Sequence, residues 1–200
     1  MAVIYILDTS ELIVNDELID KVEKKRQEKI RRIDNNLIKK EKLGAGLLLK
    51  ELFDEYGIEN QELIYNENGK PYLNTNEWYF SISHSSGVVI VSLSKNEIGI
   101  DIEEMKIYNP SLAKKIMNND EYSLYEKLSE LEKHKYFYQV WTAKEAIVKK
   151  RGTSITVNPA NIIIDEDVIT RRYIINKKAY MIASCGMGEF RVIEKRIEKE

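Results

Sequence analysis

Two carboxylates spaced two residues apart are the first groups in this chain whose types and spacing point to chemistry. They lie in the predicted strand GIDIE (99–103). Side chains alternate along a strand, so Asp101 and Glu103 project from one face while Ile100 and Ile102 enter the core. Adjacent carboxylates repel each other unless a hard cation lies between them, and Mg²⁺ takes carboxylate oxygens together with substrate phosphates. The alternative is a solvated polar strand face, which is the commoner reason for an isolated Asp-x-Glu.

A second pattern lies in the predicted helix that contains WTAKEAIVK (141–149). Trp141, Glu145 and Lys149 recur at i, i+4 and i+8 and therefore form one stripe. A Glu-Lys pair at this spacing is usually a solvated pair, but a large aromatic side chain favours burial. A partly buried stripe of this kind predicts the wall of a cleft, with an anionic metal ligand beside a cationic phosphate contact.

Three shorter segments have weaker signals. FSISHS (80–85) brings hydroxyls and an imidazole together, and these can donate hydrogen bonds to phosphate oxygens, although serine is also a plain turn former. GKP (69–71) predicts a rigid turn with one exposed cation. The run Asn118-Asn119-Asp120-Glu121 is typical of a helix N-terminus rich in capping residues.

Composition narrows the class of protein. The chain has 200 residues, 43% hydrophobic and 32% charged, which fits one domain or two small, tightly packed halves. A net charge of -2 disfavours a nucleic-acid binder. The chain has a single cysteine, Cys185, which excludes a disulfide framework within the chain and favours a reducing cytoplasm as the compartment. It has only two histidines, which excludes a metal site built from several histidines. No apolar run approaches the roughly 20 residues of a membrane span, and the N-terminus lacks signal-peptide features, so no membrane partner is expected.

The predicted elements alternate between strands and helices. We expect helices over residues 17–32, 37–56, 110–128 and 133–151, and strands over 2–7, 78–83, 87–94 and 97–103, with a strand–turn–strand segment over 62–73. The C-terminal part predicts four short strands in NIIID (161–165), RRYIIN (171–176), AYMIAS (179–184) and FRVIEKRI (190–197).

An internal echo bears on how these elements are arranged. YFSISHSSG (79–87) and YMIASCGMG (180–188) share Tyr, Ser and Gly at the same offsets, about half a chain apart. The echo arises either by coincidence among strand-forming residues or from a duplicated unit. We predict an α+β fold of one domain, 1–200, in which two similar α/β halves (about 1–97 and 98–200) pack around a pseudo-two-fold axis with the active site in the cleft between them.

Taken in order, GKP, FSISHS, IGIDIE (98–103), Glu121 and WTAKEAIVKK (141–150) resemble the motif series of the 4′-phosphopantetheinyl transferase superfamily. The chain length is similar to that of its longer, single-chain, surfactin-synthetase-activating branch. The resemblance covers roughly residues 22–152. Two halves fused in one chain imply a monomer.

The resemblance implies a role for each matching residue of the reaction centre. Asp101, Glu103 and Glu145 match the family's Mg²⁺ ligands. Lys149 matches the lysine that contacts the coenzyme A phosphates near the scissile bond. Glu121 matches the glutamate proposed as general base in the longer branch.

It also implies contacts to the rest of the coenzyme. Lys70 and Pro71 match the turn that lies against the adenine end. Ser83 and His84 match the pair that contacts the coenzyme's phosphates. Lys144 belongs to the motif without a settled role.

The chain departs from the family pattern at two places. The family often has an arginine where this chain has KKEKL (39–43). The residue that holds the 3′-phosphate is therefore left open among these lysines and the basic residues of 26–32. Most of the basic residues of 26–32 fit a solvated helix face. The segment before Glu121 lacks the usual Phe pair, so Asp120 is the alternative register for the base.

The function implied by the resemblance is a cytoplasmic, Mg²⁺-dependent transferase of the holo-[acyl-carrier-protein] synthase type. It would move the 4′-phosphopantetheine arm of coenzyme A to a serine of an apo acyl or peptidyl carrier protein and release adenosine 3′,5′-bisphosphate. The protein's task in such a reaction is charge neutralisation and positioning. The basic residues 149–151 and 114–115 are candidates to meet an acidic carrier. The alternatives are a non-catalytic module that binds coenzyme A or a carrier protein, and a metal-dependent nuclease or phosphatase that would leave GKP and SHS unexplained.

Overall fold

Two sheets, each covered by a long helix, form the fold. The computed structural model describes residues 2–75, 77–153, 158–164 and 167–197. The strands are β1 (Ala2–Asp8), β2 (Leu63–Tyr65), β3 (Pro71–Leu73), β4 (Tyr79–Ser85), β5 (Val88–Ser94), β6 (Gly99–Glu104), β7 (Val168–Ile175), β8 (Lys178–Cys185) and β9 (Phe190–Lys195). The helices are α1 (Asp16–Asp20), α2 (Lys24–Arg31), α3 (Asn36–Glu55), α4 (Ser111–Ile116), α5 (Asn119–Lys127) and α6 (Glu130–Arg151). The predicted α+β class is confirmed.

The first sheet has the strand order β4-β5-β1-β9, and the second has the order β6-β8-β7. Strands β2 and β3 form a separate hairpin. Strand β9 pairs in parallel with β1, with Ile4 opposite Val192, while the other neighbours are antiparallel. The last strand therefore belongs to the sheet built from the first half of the chain. The boundary between the sheets does not coincide with a cut at residues 97–98, and the pseudo-two-fold relation stays a prediction.

Several predicted elements are divided or displaced for local reasons. The predicted helix 17–32 is two helices, because the Glu23 carboxylate accepts from the backbone N–H groups of Lys25 and Arg26 and starts α2 there. The predicted helix 110–128 is likewise divided, since Asn118 caps α5. The expected strand 161–165 is wrong over the residues described: Pro159–Asn161 form a 3₁₀ turn and 162–164 are irregular, while Asp165 lies outside the described residues.

Apolar faces determine how the layers stack. Helix α3 buries Leu48, Leu52 and their neighbours against Val89 and Val91 of the first sheet. Helix α6 buries Ala146 and its neighbours against the second sheet. Between the sheets lies a third cluster, which contains Ile4, Ile6, Ile90, Ile100, Ile102 and Ile182. Ile100 and Ile102 are both fully buried, so the predicted alternation along GIDIE is confirmed. Each such side chain contributes about 1.5–3 kcal/mol through burial.

The two sheets meet edge to edge along β4 and β6 through serine hydroxyls. Ser81, Ser83 and Ser85 share one face of β4, and we call these three residues the serine seam. Their Oγ atoms accept the backbone N–H groups of β6 at Ile100 (3.0 Å), Ile102 (3.4 Å) and Glu104 (3.1 Å). The seam thereby gives partners to N–H groups that the edge of the second sheet would leave unpaired.

Gly99, the first residue of β6, lets α6 lie directly on this strand. A Cβ atom at Gly99 would be 1.9 Å from the Ala146 carbonyl oxygen and 2.5 Å from the Lys150 backbone nitrogen. Both are backbone atoms of a long helix and cannot swing away. Within the part of the chain that the structure describes, none of the helices is both long and apolar enough to cross a membrane.

Gly99→Ala should therefore push α6 away from β6. We expect a loss of more than about 3 kcal/mol in the free energy of unfolding, measured by urea denaturation. Gly57→Ala is the control, because Gly57 has φ +65° and open space around it, so its cost is the left-handed backbone alone, about 1–2 kcal/mol. Equal losses in the two variants would contradict a rigid contact between α6 and β6.

Candidate active site

Asp101 is the buried centre of the candidate site, with 3% of its surface exposed. Its Oδ1 accepts hydrogen bonds from the Ser83 hydroxyl (2.7 Å) and the Lys149 ammonium (2.6 Å). Its Oδ2 is also buried and has no hydrogen-bond partner among the described residues. A buried carboxylate oxygen without a partner is costly, and such an atom needs a ligand or an ion to be satisfied.

The two other predicted metal ligands respond to the charge of Asp101. Burial, and then repulsion from Asp101, raises the pKa of Glu103, although the Ser85 hydroxyl and the Trp141 indole donate hydrogen bonds that oppose this. Ser85 Oγ lies 2.9 Å from Glu103 Oε2. Burial and then Asp101 also raise the pKa of Glu145, while Lys149 opposes them. The fold therefore brings the three carboxylates into one electrostatic cluster that has too little positive charge.

This cluster suits a divalent cation but is not assembled around one. As the side chains stand, no group of three or more His, Cys, Asp and Glu residues within the described ranges has a metal-binding arrangement. The unsatisfied Oδ2 of Asp101 and the raised pKa values of Glu103 and Glu145 are the features that a hard cation would relieve. The residues fit Mg²⁺ in their chemistry, and their role as ligands stays a prediction.

Lys149 joins the helix α6 to both strands of the edge-to-edge junction. Its Nζ lies 2.6 Å from Ser83 Oγ and 2.6 Å from Asp101 Oδ1. Trp141, Glu145 and Lys149 are all partly buried, as expected for a stripe that faces a cleft and not open solvent. Since the single hydroxyl proton of Ser83 is donated to Asp101, Ser83 holds the carboxylate here. A contact from Ser83 to a phosphate would have to replace this bond.

His84 has two charged neighbours that the motif analysis did not identify. Its Nδ1 lies 3.0 Å from Glu41 Oε2, and its Nε2 lies 2.8 Å from Lys42 Nζ. Glu41 is 4% exposed and its Oε1 accepts the backbone N–H of Gly87 at 2.7 Å. A signal was present in the sequence: Glu41 continues the helical stripe of Ala45 and Leu48, so it occupies a core position of α3.

Lys42 is the centre of a set of cations that we call the basic group, formed by Arg26, Lys29, Lys42 and Lys149. Burial lowers the pKa of Lys42, and the charges of Arg26, Lys29 and Lys149 lower it further, against the opposing charge of Glu41. Burial also lowers the pKa of Arg26. Repulsion within such a group is relieved by an anion, so the geometry predicts a phosphate-sized anion beside the carboxylate cluster.

The GKP turn caps the end of α6. Lys70 Nζ donates to the Lys150 carbonyl at 2.9 Å, and the side-chain amides of Asn66 and Asn68 donate to the Gly152 carbonyl. These bonds satisfy carbonyls at the helix C-terminus that lack partners within the helix. Lys70 is thus a partly buried helix cap, and the prediction of an exposed cation there is wrong. Pro71 begins β3, and the contact of this turn with an adenine ring stays a prediction.

Glu121 lies in a capping box at the start of α5 and is held by a buried lysine. Its Oε2 accepts from the backbone N–H of Asn118 (2.8 Å) and from Lys144 Nζ (2.6 Å). Lys144, 1% exposed, also donates to the carbonyls of Ile116 (2.9 Å) and Pro159 (3.0 Å). The three bonds of Lys144 give it a structural role between α4, α5 and α6. The catalytic role of Glu121 stays a prediction, and a base at this position would act with Lys144 attached.

Replacing Lys144 with Met should destabilise the fold strongly, because the substitution removes the cation paired with the Glu121 carboxylate and the donor to the carbonyls of Ile116 and Pro159. We expect a loss of about 3–5 kcal/mol in the free energy of unfolding, measured by urea denaturation. Adding Glu121→Gln should recover part of this loss, since the uncompensated charge is removed. Lys135→Met, at an exposed position of α6, is the control. A loss no larger than in the control would contradict the structural role.

Fold and site together define the class of protein: an α+β protein with a buried anionic cluster beside a basic group, suited to a substrate that carries several phosphates. Residues 97–189 match the model of the family described as ACPS, the 4′-phosphopantetheinyl transferase superfamily. This segment includes the carboxylate trio, Glu121, Lys144 and Lys149.

Curated relatives extend the match into the first half of the chain. The 4′-phosphopantetheinyl transferase ffp of Bacillus subtilis is 28% identical over 158 residues, which cover 76% of this chain and 70% of the relative. Sfp of Bacillus subtilis strain 168 is 27% identical, over 72% of this chain and 66% of Sfp. The transferase gsp of Aneurinibacillus migulanus is 28% identical, over 62% of this chain and 53% of gsp. The matches thus span between about half and 70% of the length of these relatives.

The family model and the relatives confirm the resemblance of this chain to the 4′-phosphopantetheinyl transferase superfamily. Among solved structures, the holo-[acyl-carrier-protein] synthase (AcpS) of Thermotoga maritima covers 44% of this chain and 62% of its own, at a TM-score of 0.35 and 15% identity. That likeness is too low to support a conclusion about this protein.

Proposed function

We propose that this protein transfers the 4′-phosphopantetheine arm of coenzyme A to a serine hydroxyl of an apo acyl or peptidyl carrier protein and releases adenosine 3′,5′-bisphosphate. The observation that carries this proposal is the contact between two opposite charge groups. Lys149 belongs to the basic group and is also bonded to Asp101 of the carboxylate cluster. Coenzyme A has a diphosphate beside its reacting bond and a separate 3′-phosphate, and such a substrate uses both groups.

The carboxylate cluster would hold the diphosphate through Mg²⁺. Asp101, Glu103 and Glu145 are the ligands in this proposal, with Asp101 Oδ2 as the oxygen that is already free. Mg²⁺ would supply charge neutralisation at the diphosphate oxygens when bound. Lys149 lies at the edge of this cluster and would stabilise the negative charge that develops on the phosphate oxygens as the bond to the leaving group breaks.

The other members of the basic group, Arg26, Lys29 and Lys42, would hold the 3′-phosphate. The sequence left open which residue replaces the family's arginine, and Lys42 is the candidate favoured by its contacts. It lies beside His84, and its charge interacts with those of Arg26, Lys29 and Lys149. Lys70 and Pro71 would then lie toward the adenine end of the coenzyme, as the family pattern implies.

Glu121 would accept the proton of the attacking serine. Its carboxylate accepts hydrogen bonds from Lys144 and from the backbone N–H of Asn118 at the start of α5, and these contacts fix its position. Asp120, the alternative register, is an exposed residue of the same turn. Of Asp120 and Glu121, only Glu121 has its side chain held in place, by Lys144 and by the backbone of Asn118.

A mixed surface on the second half would receive the carrier protein. Ile107, Leu112 and Leu124 are large apolar side chains that are 100%, 38% and 49% exposed. Lys114 and Lys115 are exposed on α4, the helix that also carries Leu112. Lys150, a basic residue considered for this role, lies 3.7 Å from Asp167 and is therefore partly neutralised. Apolar contacts framed by cations suit an acidic partner. The holo-[acyl-carrier-protein] synthase type, the monomeric state and the cytoplasmic location stay predictions.

Incubation with coenzyme A, Mg²⁺ and a panel of apo carrier proteins tests the proposal. The intact mass of at least one carrier should rise by the phosphopantetheine arm, and the rise should vanish when Mg²⁺ is chelated. Asp101→Asn should slow transfer by about 10²-fold or more, because a charged group facing the reacting phosphates is lost. Asp34→Asn, at an exposed carboxylate without a role in the proposal, is the matched control. Binding of coenzyme A without any mass change would instead support the non-catalytic module.

The role of Lys42 can be tested with a coenzyme that lacks the 3′-phosphate. Wild-type protein should prefer coenzyme A over 3′-dephospho-coenzyme A, and Lys42→Ala should lose most of this preference. A charge-assisted hydrogen bond is worth about 1.5–3 kcal/mol, so KM for coenzyme A should rise by about 10–100-fold while KM for the dephospho form changes little. Lys24→Ala, at an exposed position of α2, is the control. An equal rise for both coenzymes would place the 3′-phosphate elsewhere.

A further inference from the structure

The buried carboxylate of Glu41 has no part in the proposed chemistry, yet it lies between the basic group and the turn after β4. We propose that Glu41 is a positioning residue: it fixes the proton of His84 on Nδ1, so that Nε2 stays free to accept from Lys42. This inference rests on the proposed function, which assigns Lys42 to the 3′-phosphate of the coenzyme.

Both oxygens of Glu41 are already committed. Oε1 accepts the Gly87 backbone N–H at 2.7 Å, and Oε2 lies 3.0 Å from His84 Nδ1. Burial opposes ionisation of Glu41, but the hydrogen bonds that it accepts from His84 and Gly87 outweigh it and lower the pKa of this carboxyl. An ionised carboxylate only accepts hydrogen bonds. The Nδ1 atom of His84 must therefore carry a hydrogen.

The other ring nitrogen is constrained from the opposite side. An ammonium only donates hydrogen bonds, and Lys42 Nζ lies 2.8 Å from His84 Nε2. Nε2 must therefore present its lone pair. The two contacts together define one state of the ring, the neutral imidazole with its hydrogen on Nδ1.

This tautomer has a consequence for the basic group. Lys42 is repelled by Arg26, Lys29 and Lys149, so holding it among them requires a partner. A carboxylate in direct contact would neutralise its charge. A neutral imidazole nitrogen instead accepts one of the three ammonium hydrogens and leaves the charge and the other hydrogens for an anion. Glu41 therefore acts on Lys42 through the imidazole of His84 and does not itself contact the bound anion.

Glu41→Gln tests this inference because it keeps the volume of the side chain and changes its hydrogen-bonding pattern. Glutamine has a single oxygen, which the Gly87 N–H requires, and its NH₂ group would then face His84 Nδ1. A donor at that position moves the ring hydrogen to Nε2, where it opposes Lys42. We expect the tautomer of His84 to switch from Nδ1–H to Nε2–H, and KM for coenzyme A to rise by about tenfold with kcat changed less than about twofold.

The tautomer is measured by ¹⁵N NMR of the histidine-labelled protein without substrate. The chain has only two histidines, and a His134→Gln variant assigns their signals. The kinetic control is Glu51→Gln on the same helix, whose carboxylate pairs with Lys195 and not with the site. It should change neither the His84 tautomer nor KM.

The outcomes separate the two proposals. An Nε2–H or doubly protonated His84 in the wild-type protein would overturn the role of Glu41, even if Glu41→Gln did not fold. A switch to Nε2–H in Glu41→Gln without any change in KM would also overturn it. A variant that loses both kcat and thermal stability while the tautomer stays unchanged would overturn it as well. If the wild-type protein transfers no arm to any carrier, the proposed function fails, and this result is independent of the spectra.

Discussion

Three serine hydroxyls on β4 connect the two sheets at the point where a backbone ladder would ordinarily continue. A hydroxyl both accepts and donates, whereas a backbone carbonyl only accepts. Ser83 and Ser85 use both capacities, because each accepts a backbone N–H of β6 and donates to a carboxylate, at Asp101 and Glu103 respectively. The same bonds that join the sheets therefore orient the carboxylates. A change that breaks these serine bonds would therefore separate β4 from β6 and also release the carboxylates of the site.

The site also depends on two groups of opposite charge that lie on different elements and meet at one residue. The carboxylate cluster lies on β6 and α6, and most of the basic group lies on α2 and α3. Lys149 is the group common to both, since it bonds to Asp101 and repels Lys42. A phosphate relieves the repulsion within the basic group directly, whereas the carboxylate cluster repels a phosphate unless a cation is bound. A substrate with separated phosphates would therefore use both groups only together with such a cation.

The placement of the candidate site residues in the second half was predictable from the sequence because local periodicity decides which residues share a face. Asp101 and Glu103 were expected to share a face of a strand, and they do. The stripe of Trp141, Glu145 and Lys149 likewise lies on one helix, as expected. The role of Lys70 as a helix cap was not predictable, since its acceptor is a backbone carbonyl 80 residues away. The contacts of Lys144 and Glu41 depend likewise on how distant elements pack. A charged residue at a core position of a helix stripe was the available signal for Glu41, and motif matching ignores such a signal.

The parallel pairing of β9 with β1 has a consequence for synthesis on the ribosome. Until residues 190–195 have emerged, β1 is an unprotected edge of the first sheet, although its other neighbour, β5, is already available. A growing chain thus presents a row of unpaired backbone groups on β1 while the residues between β1 and β9 are being made. Pairing between segments so distant in sequence is slow, and nascent chains with such edges are prone to associate with one another. Because β9 is synthesised long after its partner β1, the first sheet cannot be completed while most of its strands are already available.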